Sequence, residues 1–157
     1  MKQIITFLAL LFFTISCSPE TAQDSYSRDA VISEVRTMTD NFFNDINKEG
    51  FEAEFRYLDS TDDFFWVIPG SDQAIDYDSV YTILKQSAPD FDQIKFHWDQ
   101  LNIYPLSSSI ASYTGIVGGS MHQISTDSLW KIGLIESGVF IKRDDGWKFL
   151  CGQSRDN

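Results

Sequence analysis

From Phe91 to Gln153 the chain keeps a two-residue apolar period through four successive segments, and this pattern constrains the fold more than any other feature. Ile94, Phe96 and Trp98 share one parity. Ala111, Tyr113, Gly115, Val117 and Met121 share a second. Trp130, Ile132, Leu134, Glu136 and Phe140 make a third set, and Trp147, Phe149, Cys151 and Gln153 a fourth. Side chains alternate across a strand, so each set reads as one face of a strand. Ser107-Ser108-Ser109, Ser125-Thr126-Asp127 and Asp144-Asp145-Gly146 separate the segments as turns. Consecutive strands joined this way form an antiparallel meander. Strands of roughly 10–15 residues do not stay flat, because each carries a right-handed twist. Gly118, Gly119, Gly133 and Gly138 permit the bends.

The residues before Phe91 follow a different period. Val31, Val35, Met38, Phe42 and Ile46 form one helical stripe, with Ser25 or Ser27 as cap, Asp29 in the first turn and Gly50 as stop. Phe51, Phe55 and Leu58 predict a short second helix, broken by Asp59-Ser60-Thr61-Asp62. Phe64 to Ile68 reads as a strand closed by Pro69-Gly70. Val80, Ile83 and Leu84 predict a third helix, with Ser79 as cap and Pro89 past its end. Helices followed by long strands give an α+β domain. The economical packing is a curved antiparallel β-sheet wrapped around the N-terminal helices. Such a sheet leaves a cone with an open mouth, which suits a small ligand.

The first residues carry a separate message. Met1-Lys2 is a short positive start, Ile4 to Phe13 is nearly all apolar, and Thr14-Ile15-Ser16-Cys17 follows. This is the layout of a secretory signal. The apolar run is too short for a helix to cross a hydrocarbon core of about 30 Å. The segment resembles the signal peptide and lipobox of bacterial lipoproteins, with Ser16 before the cut and Cys17 as the lipid-bearing residue; Thr14 stands where that family usually has Leu. The resemblance implies that residues 1–16 are removed and that Cys17 anchors an exported chain to a bacterial membrane in the cell envelope. Ser18 to Ser25 is polar and reads as a tether within 17–25. The folded domain is then 26–157. With Cys17 acylated, Cys151 has no disulfide partner, and its alternation with Trp147 and Phe149 makes it a small buried apolar residue.

Charge narrows the partners. The formal net charge is −11. A surface this negative is repelled by phosphates, which argues against nucleic acid. The same charge keeps the domain from adhering to anionic lipid, so membrane contact is expected through the anchor alone.

Individual residues supply the candidate chemistry. Glu136 shares parity with Trp130, Ile132, Leu134 and Phe140. A carboxylate facing an apolar cone loses hydration, and its pKa rises into the range useful for acid–base work. A bulge at Gly133 or Gly138 is the other reading, and would turn Glu136 out to solvent. Trp66, Trp98, Tyr113 and Trp130 make an aromatic wall or plain core, with Tyr113 adding a polar handle; Gln153 completes the candidate pocket. His97 and Asp99 share a face of opposite parity to Ile94, Phe96 and Trp98, so they read as surface. His122 falls near a hairpin tip. Two histidines at this spacing, with no HExxH or CxxC pattern, make no metal site, and no cofactor is expected. Asp59, Asp62, Asp63, Asp76 and Asp78 read as a solvated acidic face.

Three stretches then resemble one family. Gly50 with Phe51, Phe55, Leu58 and Asp62-Asp63 is similar to a second helix running into a first strand. Trp66 to Pro69-Gly70 is similar to the end of that strand. Arg143-Asp144-Asp145-Gly146-Trp147-Lys148-Phe149 is similar to a last hairpin in which Gly-Trp opens the final strand. Together they resemble the SnoaL-like branch of the nuclear-transport-factor-like, ketosteroid-isomerase-related superfamily over about 25–155. The resemblance implies a cone-shaped α+β domain and leaves room for a homodimer. That superfamily includes isomerases, cyclases, dehydratases and non-catalytic proteins, so fold alone does not choose among them. The resembled isomerases use a Tyr and two acids, and that trio has no residue-by-residue match here. The sequence therefore favours a lipid-anchored binding module for a small apolar or amphipathic molecule or a protein partner. The alternative is an enzyme moving protons on a small organic substrate, with Glu136 as acid/base and Tyr113 as hydrogen-bond donor.

Overall fold

Ser27 is the N-cap of the first helix, α1 (Arg28–Glu49), and its side chain accepts a hydrogen bond from the Ala30 amide at 3.3 Å. The computed structural model describes residues 26–157; the signal segment, Cys17 and the tether fall outside the described residues. Gly50 ends α1 at φ 92°, in the left-handed region that glycine enters without a Cβ clash. Phe51–Arg56 is a 3-10 helix in place of the expected short helix. Strand β1 (Phe65–Val67) follows, then α2 (Tyr77–Ser87). Asp76 caps α2, ahead of the expected Ser79: its carboxylate accepts from the Ser79 amide at 2.9 Å. Pro89 lies in a 3-10 turn, Ala88–Asp90, that leads into the sheet.

The long strands are β2 (Phe91–Pro105), β3 (Ile110–Gln123), β4 (Ser128–Arg143) and β5 (Gly146–Asp156). They form an antiparallel meander, and β1 adds to β5 in parallel, giving the order β1-β5-β4-β3-β2. The sheet is unclosed and curves around α1. The expected α+β architecture is therefore present.

Two bulges in β2 set its curvature, between Asp92 and Lys95 and between Trp98 and Gln100. They also shift the parity. Ile94 is buried before the second bulge, and Leu101 and Ile103 after it. Asn47 at the end of α1 clamps this strand by accepting from the Phe96 amide at 2.7 Å and donating to its carbonyl at 2.9 Å. The core lies between α1 and the concave face. Val35, Ile46, Tyr113, Phe140 and Phe149 are its most completely buried large members. Phe140 stacks on Tyr113 at 4.3 Å and meets Phe149 edge-on at 4.8 Å.

A third bulge lies between β4 and β5. Phe140 faces Phe149, but Val139 faces Cys151, so Leu150 is the extra residue. Everything after it changes side. Cys151 and Gln153 turn to the convex face opposite Val139 and Ser137, against the alternation read from Trp147 and Phe149. Gly152 and the buried Ser154 turn inward. Among the described residues, no helix is long and apolar enough to cross a membrane.

Candidate functional site

The concave face and the helices leave an apolar cavity of about 290 Å³. Phe42, Phe43 and Ile46 of α1 form one wall, and Val80, Ile83 and Leu84 of α2 another. Val117, Met121, Ile132 and Leu134 of the sheet form the floor. Against this lining stand three polar side chains, Glu54, Glu136 and Ser154. The volume equals about ten waters at ~30 Å³ each, so it suits a small molecule at the lower end of ligand pockets.

Glu136 sits mid-strand in β4, directly between Gly115 of β3 and Ser154 of β5. No bulge precedes it, so its parity with Ile132 and Leu134 holds and it joins the lining. The residue keeps some exposure through the cavity, but its carboxyl is withdrawn from water. Burial pushes its pKa up to about 7, and a hydrogen bond from Ser154 pulls the other way. Ser154 Oγ donates to Glu136 Oε1 at 3.0 Å, and the Trp66 indole Nε1 donates to Ser154 Oγ at 3.0 Å. Trp66 reaches Ser154 because β1 sets it beside Gly152. A Cβ on Gly152 would lie 2.8 Å from the indole ring, so glycine makes that approach possible.

Glu54, on the 3-10 helix, faces the same space. Burial pushes its pKa up to about 8, and the nearby Glu136 charge adds to the effect. No hydrogen bond or cation among the described residues offsets that burial. Sequence reasoning passed over Glu54, although the signal was there. It follows Phe51 by three and precedes Leu58 by four, which puts it on the apolar face of that turn.

The other candidates fall in different places. Trp66 lines the cavity. Tyr113 lies in the core, 1% exposed, and its hydroxyl has no hydrogen-bond partner. Burial raises its pKa, and the neighbouring Glu136 adds to the rise. Trp98 packs between Phe43 and Tyr113 at ring distances of 5.1 and 6.0 Å, its indole nitrogen also unpartnered. Trp130 is 47% exposed and packs edge-on to Phe91, because β4 runs on past the cavity. Gln153 is exposed on the convex face and donates to Ser137 Oγ at 3.2 Å. The bulge at Leu150 gives its expected place to Ser154.

The histidines lie away from the cavity. His97 and Asp99 pair on the exposed face at 3.0 Å. His122 bridges Asp92 at 2.6 Å and Asp127 at 3.0 Å, and these bonds raise its pKa. Asp59 leaves the supposed solvated cluster: it is 4% exposed and paired with Arg143 at 2.6 Å. Cys151 is half-buried, and burial pushes its thiol up. No group of three metal-ligating side chains occurs among the described residues.

Comparison with known proteins adds the family. No curated protein matches the chain. A protein of Novosphingobium aromaticivorans assigned as a scytalone dehydratase aligns with a TM-score of 0.71 and 14% identity, covering 82% of this chain and 85% of that one. A type-2 hexachlorocyclohexane dehydrochlorinase aligns at 0.66 with 15% identity, covering 83% and 87%. A ketosteroid isomerase-like protein of Erwinia carotovora atroseptica aligns at 0.63 with 13% identity, covering 83% and 98%. At such identities these neighbours share the fold. The SnoaL-like domain model matches residues 35–154, most of the folded part, and on that ground the chain belongs to the SnoaL-like domain family.

Proposed function

We propose that the domain receives a small, largely apolar organic molecule carrying a polar group, and presents it to Glu136 and Glu54. The observation that carries this reading is the cavity itself: about 290 Å³ of apolar lining in which the polar side chains are two carboxyls and the serine bonded to one of them. A carboxyl desolvated without a cation costs the fold stability, so its presence in a cleft points to a role with a ligand. The resemblance of residues 1–17 to a lipoprotein signal adds that the domain works from a membrane, tethered at Cys17 in the cell envelope.

Native mass spectrometry of residues 26–157 purified from the source organism tests the receptor reading. A small molecule retained by the wild type and absent from a cavity-filling Leu134→Trp variant is the expected result. Equal retention by both, or no molecule retained by the wild type, contradicts it. Labelling with a fatty-acid analogue tests the anchor: the wild type takes the label and Cys17→Ser does not.

Two acids held near neutrality favour a second reading, proton transfer on the bound molecule. Neighbours assigned as a dehydratase and likened to an isomerase fit that chemistry. Deuterium exchange into the carbon beside a ketone measures it: the wild type accelerates exchange and Glu136→Gln does not.

A further inference from the structure

The direction of one hydrogen-bond chain says which ligand the cavity takes, if the receptor reading holds. An indole nitrogen can only donate, so the 3.0 Å contact from Trp66 Nε1 makes Ser154 Oγ an acceptor. The hydroxyl's single proton goes to Glu136 Oε1, also at 3.0 Å, and Oε1 accepts. A neutral Glu136 therefore carries its own proton on Oε2, the oxygen left free of this chain. We infer that Trp66 and Ser154 are positioning residues that orient the Glu136 carboxyl as a hydrogen-bond donor to the cavity, so that the site selects neutral ligands bearing a carbonyl or other acceptor oxygen.

The groups around Glu136 agree. Glu54 approaches from the 3-10 helix and Tyr113 from β3. The α1 and α2 linings are apolar, and among the described residues no lysine or arginine lines the cavity. An anionic ligand would meet two acids and no counter-charge. Trp66 is the sole contribution of β1, and its proton is already used.

Four probes of one shape separate the outcomes: indane, 1-indanone, 1-aminoindane and indane-1-carboxylate, with affinity measured by calorimetry from pH 5.5 to 9. At pH 5.5 the wild type binds 1-indanone about tenfold tighter than indane, as one desolvated hydrogen bond provides. The carboxylate is rejected. The ketone preference fades as Glu136 ionises near pH 7. Removing a donor to the ionised form makes that form less favourable, so Ser154→Ala moves the fading to higher pH and weakens the preference. Ser154→Thr restores both, and Trp66→Phe weakens the preference without deleting the serine. Equal affinity for indane and 1-indanone, or tightest binding of the amine, overturns the inference and leaves the receptor intact. A fading point unmoved by Ser154→Ala overturns the positioning role. Failure of every probe, indane included, rejects the receptor reading and the inference with it.

Discussion

Replacing Glu136 by Gln removes an ionisable group and little volume. In the unfolded chain the carboxyl titrates near 4.5; in the fold, burial raises it to about 7. A raised pKa means that the folded state holds its proton where the unfolded state has already lost it. Stability linked to this group is therefore whole below pH 4.5 and declines as pH rises toward 7. At about 1.4 kcal/mol per pH unit, the decline approaches ~3 kcal/mol. Partial exposure through the mouth screens the charge, so about 1–3 kcal/mol is expected. Glu136→Gln is free of this loss, and it also removes the like charge that helps hold Glu54 up to about 8. Urea unfolding followed by circular dichroism from pH 4.5 to 9 gives the assay. The difference between variant and wild type cancels the titrating groups other than Glu54, whose fall acts in the same direction. It should grow in favour of the variant between pH 4.5 and 8 and then level off. A difference independent of pH, or a wild type that gains on the variant as pH rises, refutes the desolvated carboxyl.

Three further outcomes follow from the packing. Phe140 is 0% exposed and stacks on Tyr113; Phe140→Ala should lower stability in urea by about 3–5 kcal/mol. Gly152→Ala would place a Cβ 2.8 Å from the Trp66 ring and 2.9 Å from the Ser137 carbonyl; a loss of about 1–3 kcal/mol and a changed tryptophan emission are expected. His122, raised by Asp92 and then Asp127, adds stability that is present below its unfolded value of 6.5 and fades as pH rises through its folded one. His122→Asn should flatten the thermal midpoint over that interval.

Much of the architecture is legible in the residues, because period two and period 3.6 are written directly by burial. The stripe from Val31 to Ile46 becomes the buried side of α1, and the four alternating segments become β2 to β5 in chain order. Bulges are where the reading fails. A single extra residue reverses every later side chain, and nothing in Phe149-Leu150-Cys151 announces one. Ser154 was therefore missed and Gln153 put in its place. The bulge between Trp98 and Gln100 has the same effect in β2, where Leu101 and Ile103 turn inward. Glu136 was legible because its strand carries no bulge before it. Glu54 was hidden by its type, since a glutamate in a short helix is ordinarily a wet residue. The end of the cavity is a tertiary matter, so Trp130 could not be told from Ile132 by parity alone.

The central claim is that burial in an apolar, ligand-sized hollow raises two carboxyls to titrate near neutral pH. Carbon-13 NMR of side-chain carboxyls, titrated from pH 3 to 10 with Glu54→Gln and Glu136→Gln for assignment, reads it directly. Two glutamate resonances with midpoints near 7 and 8 are predicted. Glutamates that all titrate between about 4 and 5, as exposed carboxyls do, would contradict it.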